Sequence, residues 1–337
     1  MCSAAIWIVY AKQSASFEPL PALSVQQNRI VRTDTHEPVV LRGAVSDYFR
    51  YGYFNDRLQK WGIDAELQRV INLKKAGINV IGLYLADPQA ITEHVSELDT
   101  YINIARDNGL YVYLMPVARD FDGKPSKIQT TRNATYTELK GLIDTLASRY
   151  ATYSNVLYGF GAEVEPDDET AATWNEKQIT LAKIVLKYNP RAVLLITGVK
   201  DSPGLISYYQ TNPFPLGNVI YFGDGYTSRD DADAQQHWAD VIRDINDPNT
   251  EQFSKTYPYF VGEFGGNYAA NFSSKTDLDI ISKMLARMDE LNLNYSMYKL
   301  SAERINDPLS MYDTVGNLTS RGSVFVAALQ QYPPTKF

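Results

Sequence analysis

Along most of the chain one unit recurs: a short β-branched or apolar run that stops at Gly, Pro, Asp or Glu, then a longer stretch with helical apolar spacing. Short runs of the first kind read as strands, and apolar residues at i, i+3, i+4 and i+7 read as one face of a helix. Strands are expected at 39–42, 80–84, 111–115, 156–161, 193–197, 219–222, 259–262 and 295–299. Helices are expected between them at 64–76, 92–108, 136–150, 173–187, 232–245 and 276–291, with 322–330 as the last. Gly77 and Gly109 stand where C-terminal helix caps belong. Strict alternation implies a parallel sheet, and eight such units favour closure into an α/β (β/α)8 TIM barrel over an open doubly wound sheet. No Gly-rich phosphate fingerprint follows the first strand, which counts against a dinucleotide-binding fold.

With 337 residues, 45% of them hydrophobic, such a barrel can bury its core without disulfides or metal. Residues 29–337 read as one catalytic domain, preceded by an N-terminal segment over 1–28. The net charge of −7, with both signs mixed along the chain, argues against nucleic acid or an anionic membrane as partner and suits a neutral substrate. Cys2 is the single cysteine, and His36, His94 and His237 are not spaced as metal ligands, so neither a disulfide nor a His/Cys metal site is expected, and no cofactor is implied. A monomer is compatible with this composition. The apolar run 4–11 falls short of the roughly 18 residues of a membrane span. It resembles the apolar part of a secretory signal, with small residues at 14–16 as a cleavage region, but lacks the basic start; export and a cytoplasmic location both stay open. The sequons at Asn133, Asn271, Asn294 and Asn317 matter only if the chain is exported.

Active sites of such barrels form at the C-terminal ends of the strands, so the residues where each apolar run stops carry the chemistry. Two runs stop at a glutamate. Asn155-Val-Leu-Tyr-Gly-Phe-Gly-Ala-Glu163 delivers Glu163, with Glu165 two residues on, and Tyr257-Pro-Tyr-Phe-Val-Gly-Glu263 runs into Phe-Gly-Gly266. Either glutamate alone reads equally well as a solvated residue at a loop start; two at the ends of the fourth and seventh strands form a candidate catalytic pair.

These stretches are also where the chain resembles the cellulase-like glycoside hydrolases, family 5 and its clan relatives. Val39-Val-Leu-Arg-Gly43 is similar to the family's opening strand, and Leu73-Lys-Lys-Ala-Gly-Ile-Asn-Val-Ile81 to its first helix and second strand. Val261-Gly-Glu-Phe-Gly265 is similar to its nucleophile strand, and Gly316-Asn-Leu-Thr-Ser-Arg-Gly322 to its usual ending. Leu83-Tyr-Leu-Ala-Asp-Pro88 and the Glu163-Val164 pair look closer to fungal β-1,3-glucanosyltransferases of the same clan. The resemblance implies a retaining hydrolase of β-linked glucan or mannan, acting by double displacement on an oligo- or polysaccharide, with Glu163 as acid/base and Glu263 as nucleophile. Retention needs those carboxyls about 5 Å apart, against about 6.5–9.5 Å for inversion. Tyr226, at the end of strand six, is the implied hydrogen-bond donor to the nucleophile; a buried structural tyrosine is the alternative.

Several family positions differ. Ala162 stands where the family places an asparagine that binds the sugar 2-hydroxyl, Gly82 where it places a strand-two arginine, and the Met115-Pro116 region where it places a histidine. Asp224 replaces a second histidine, and Tyr298 replaces the strand-eight tryptophan that stacks on the sugar. Such losses leave room for a catalytically silent carbohydrate-binding barrel or a β-glucan transglycosylase. Glu165 shares the strand parity of Glu163 and takes over its role if the register shifts by two. Tyr226, Asp224, Tyr298, Tyr48 and Glu165 are therefore the candidate substrate-binding residues. Tyr48 opens an aromatic stretch running to Trp61, which reads either as a sugar platform or as a cluster pinning the loop to the barrel. The long polar segment 118–135, with Asp120 and Asp122, lies on the same face; Trp174 and Trp238 read as packing residues. Lys299 ends strand eight, where it is compatible with a Schiff-base chemistry, but no phosphate-binding signature stands beside it.

Overall fold

The computed structural model describes residues 20–49, 62–85, 88–116, 135–162, 164, 169–199, 202–225, 248–265, 275–302 and 309–331. A three-stranded antiparallel sheet comes first, β1 (Leu23–Gln26), β2 (Arg29–Arg32) and β3 (Pro38–Val39). Eight parallel strands follow: β4 (Arg42–Ser46), β5 (Val80–Leu85), β6 (Tyr111–Pro116), β7 (Val156–Gly159), β8 (Leu194–Thr197), β9 (Val219–Gly225), β10 (Tyr259–Phe264) and β11 (Asn294–Met297). They close in sequence order, with β11 pairing β4 to complete the barrel. The expected fold class is the observed one.

The first strand differs from expectation. The run 39–42 crosses a boundary: Val39 pairs with Ile30 in the small sheet, whereas the barrel strand begins at Arg42. Between them, side-chain amides take the place of a neighbouring strand. Asn294 Oδ1 accepts from Leu41 N and Asn79 Oδ1 from Arg42 N, both at 2.8 Å, while Asn79 Nδ2 donates to the Val40 carbonyl at 2.8 Å. Leu20, Leu23, Ile30 and Val39 join the barrel's inner cluster, so the small sheet plugs the N-terminal end.

Around the barrel lie α1 (Gly62–Ala76), α2 (Pro88–Glu93), α3 (Val95–Asp107), α4 (Tyr136–Arg149), α5 (Ala171–Tyr188), α6 (Ser202–Tyr209), α7 (Pro248–Thr256), α8 (Lys275–Glu290) and α9 (Ser320–Gln331). Gly77 and Gly109 do cap α1 and α3, with φ of 124° and 69°. Capping boxes start α4 (Thr135 with Glu138) and α5 (Thr170 with Thr173). The helix expected over 92–108 is broken at His94, and α6 and α7 are too short to announce themselves by periodicity. The helix expected at 232–245 lies outside the described residues. Trp174 is a packing residue, its indole N–H donating to Thr197 Oγ1 at 3.1 Å.

Inside the barrel, bulky aromatic residues face glycines. Tyr113, Phe222 and Phe260 form a mutually packed trio with centroids 5.3–5.6 Å apart. A Cβ on Gly82 would lie 2.1 Å from the Tyr113 ring, and one on Gly262 would lie 1.9 Å from the Phe222 ring. The interior is thus filled solid beneath the C-terminal mouth, as layered barrel packing requires.

Candidate active site

Glu263 owes its position to a bulge. On β10, Phe260 belongs to the inner cluster and Val261 to the outer one, so strict alternation would turn residue 263 outward. The ladder with β9 slips between Val261↔Gly223 and Glu263↔Asp224, and Phe264 lands back in the outer cluster. Gly262 and Glu263 therefore share the inner side, as an extra residue in a strand permits. Glu263 is only 2% exposed, and its Oε1 is fully buried.

Among the described residues, three inner side chains lie on the strands around it. Asp224 is its register partner on β9. The Tyr113 hydroxyl crosses the barrel over Gly82 and donates to the Gly262 carbonyl at 3.4 Å. Tyr84, two residues above Gly82 on β5, is wholly buried; burial first, then the charge of Glu263, pushes its phenol well above its ordinary pKa. Burial likewise raises Tyr113, with the carboxylates of Glu263, Asp224 and Asp47 adding to the shift.

Beside this group the seam between first and last barrel strands is closed by side chains. On the inner side, the Tyr298 hydroxyl donates to Asp47 Oδ2 at 2.6 Å, and Lys299 Nζ lies 3.9 Å from the same oxygen. The Tyr298 ring is tilted against Tyr84 at 6.5 Å, and the Tyr298–Lys299 peptide is cis. On the outer side, Glu66 of α1 accepts from Ser46 Oγ at 2.6 Å and from Ser301 Oγ at 2.5 Å, with Arg69 Nη1 3.8 Å away.

Of the residues singled out from sequence, Glu263, Asp224 and Tyr298 come together at the mouth. Glu163, Glu165 and Tyr226 lie outside the described residues; their neighbours Ala162 and Val164 are buried at the end of the fourth barrel strand, Val164 bridging to Val199. Two readings need correction. Tyr48 is no sugar platform: it is 1% exposed, edge-on to Phe49 at 5.0 Å, and packed in the outer cluster with Leu67 and Tyr101, while the rest of the aromatic stretch, 50–61, lies outside the described residues. Tyr298 does not present an open face either, being 4% exposed with its hydroxyl committed to Asp47. Sequence reading missed Tyr84, Asp47 and Glu66. Tyr84 was detectable, since it shares the inward parity of Val80 and Gly82 at a strand's C-terminal end. Among the described residues no group of three His, Cys, Asp or Glu side chains could hold a metal ion, and no helix is long and apolar enough to cross a membrane.

A closed eight-stranded parallel barrel ringed by helices, with a buried carboxylate at the end of its seventh strand, places the protein in the (β/α)8-barrel fold class. The family model for cellulases of glycosyl hydrolase family 5 matches residues 37–304, and the chain belongs to that family of glycoside hydrolases. No curated relative matches by sequence. Among solved structures it is similar to a β-glucanase from Saccharophagus degradans in complex with cellotetraose, at TM-score 0.74 and 15% identity, covering 93% of this chain and 94% of that one. It is similar also to the catalytic domain of Thermobifida fusca endoglucanase Cel5A, at TM-score 0.68 and 18% identity, covering 92% and 98%. A third is the catalytic domain of the major endoglucanase from Xanthomonas campestris pv. campestris, at TM-score 0.68 and 14% identity, covering 92% and 99%.

Proposed function

We propose that the protein hydrolyses a β-linked glucan or mannan with retention, using Glu263 as nucleophile and Glu163 as acid/base. The observation that carries this reading is the bulge that turns Glu263 to the inner side at the barrel mouth and buries it there. In the first step the Glu263 carboxylate attacks the anomeric carbon, the glycosidic C–O bond breaks, and the proton of Glu163 goes to the leaving oxygen. In the second, water attacks the same carbon, returns a proton to Glu163 and releases Glu263. A sugar acceptor in place of water would make the same site a transglycosylase. An extracellular polysaccharide as substrate goes with export of the chain.

The test is incubation with activated deoxyfluoro β-glucosides and β-mannosides followed by intact mass, beside turnover of cellotetraose, laminaritetraose and mannotetraose. A covalent glycosyl adduct that Glu263→Gln abolishes is the expected result. Oligosaccharide binding with no adduct and no turnover, unchanged in Glu263→Gln, overturns it in favour of a silent binding barrel, the reading that Ala162 and Gly82 favour.

A further inference from the structure

The bulge on β10 does more than turn Glu263 inward, because it also chooses the residue across from it. Before the slip Val261 stands opposite Gly223, and after it Glu263 stands opposite Asp224; without the extra residue, Gly262 would take that place. Asp224 faces inward by the parity of its own strand, since Ile220 and Phe222 belong to the inner cluster and Val219 and Tyr221 to the outer one. Neighbouring strands lie about 4.8 Å apart, so two inward side chains in register stand side by side. Both end in a carboxyl group. Glu263 is 2% exposed with Oε1 fully buried, whereas Asp224 is half-buried with Oδ1 fully buried. The family's histidine at the Asp224 position could answer a negative charge on the nucleophile; an aspartate there opposes it.

Resting on the role of Glu263 given above, we propose that Asp224 sets the acidic limit of the reaction, by letting Glu263 shed its proton only after Asp224 has shed its own. Like charges side by side in a water-poor site do not form independently, so the pair releases its protons in two separated steps. The proton of the half-ionised pair stays on the more buried member, which is Glu263. Only the second step produces a charged nucleophile. Among the described residues, the other ionisable groups facing the pair are the phenols of Tyr84 on β5 and Tyr113 on β6, with Asp47 just past β4 and Tyr298 and Lys299 just past β11. Both phenols keep their protons throughout the acidic range, because burial and then the nearby carboxylates raise them. Lys299 Nζ lies 3.9 Å from Asp47 Oδ2, and the Tyr298 hydroxyl donates to the same oxygen at 2.6 Å, so these three groups answer one another. Asp224 is the carboxyl in register with Glu263.

The experiment is the pH dependence of the second-order rate of labelling by whichever activated deoxyfluoro glycoside modifies the wild-type protein, followed by intact mass. The leaving group of such a sugar departs without a proton, so Glu163 drops out and the acidic limb reports ionisation of Glu263 in the free enzyme. In the wild-type protein that limb is expected above the ordinary glutamate value of about 4.3. Asp224→Asn removes the charge and keeps the shape; it is expected to move the limb down by about 1–2 pH units, so that labelling below the wild-type limb, relative to its own plateau, becomes about tenfold faster or more. Asp224→His, the family's residue, is expected to move the limb the same way. A role for Asp224 confined to binding sugar or holding β9 in place changes the plateau or the half-saturating concentration and leaves the limb where it is. A limb that stays or moves up in Asp224→Asn overturns the proposal, and so does a wild-type limb at or below the ordinary glutamate value. If Asp224→Asn does not fold, Asp224→His and the wild-type limb decide it. A wild-type protein that takes no label and turns nothing over overturns the glycosidase reading itself, whereas a labelled one with an unmoved limb overturns only this inference.

Discussion

Replacing Gly82 by alanine adds one methyl group at the centre of the barrel, and the structure says what it strikes. The new Cβ would lie 2.1 Å from Tyr113 Cζ and 2.2 Å from its hydroxyl oxygen, against ordinary carbon contacts of about 3.5–4 Å. The ring cannot swing aside, because Phe222 stands at 5.4 Å and Phe260 at 5.6 Å from it. Overpacking of this kind costs about 1–3 kcal/mol, and an overlap well over 1 Å with a caged ring belongs at the upper end, roughly 3 kcal/mol. The assay is urea unfolding of Gly82→Ala, Tyr113→Leu and the double variant. Tyr113→Leu alone leaves a cavity and also destabilises, by about 2–4 kcal/mol. In the double variant the methyl group enters that cavity, so the coupling should be favourable by at least about 1.5 kcal/mol. Wild-type stability in Gly82→Ala, or additive losses in the pair, would refute the account of Gly82 as space ceded to Tyr113. The same geometry predicts that Gly82→Arg, which restores the family's residue, unfolds the barrel unless Tyr113 is also cut back.

Glu66→Ala should destabilise the protein by about 3 kcal/mol or more in urea, because it removes the shared acceptor of two buried serine hydroxyls and the carboxylate beside the buried Arg69. Tyr48→Ala should cost about 3 kcal/mol of stability while leaving KM for oligosaccharide unchanged, the reverse of what a sugar platform would show. Asp99 accepts from Arg149 Nε at 2.6 Å and from the Tyr150 hydroxyl at 2.9 Å, and the Arg149 contact holds its carboxyl below the ordinary value of 3.8. Its contribution is therefore present above that value and lost as pH falls through the lower folded one; acid unfolding curves of Asp99→Asn should lack this part of the decline.

The barrel was legible because strands and helices differ in apolar period, and buried parallel strands show as unbroken apolar runs. Glu263 was legible for the same reason, as a charge at the end of such a run. What period cannot show is a change of period. The slip at Val261–Glu263 is a property of the pairing with β9, and parity alone would have faced Glu263 outward. The run 39–42 misled because apolar content says nothing about which partner takes the backbone bonds, here side-chain amides of Asn79 and Asn294. Glu66 looked like any polar residue of an amphipathic helix; its partners Ser46 and Ser301 are 20 and 235 residues away.

That last separation has a temporal side. Asp47 and Glu66 are made early, but Tyr298 and Ser301, which bury them, are encoded 251 and 235 residues later. At synthesis rates of about 5–20 residues per second, the first strand waits roughly 12–50 s for its final neighbour. The Asp47 carboxylate at the end of that strand, kept hydrated, discourages the open edge from pairing with the wrong strand in the interval, as charges do on exposed sheet edges. The arrival of β11 then dehydrates Asp47 and Glu66 together, so the strand that closes the barrel is also the one that commits it.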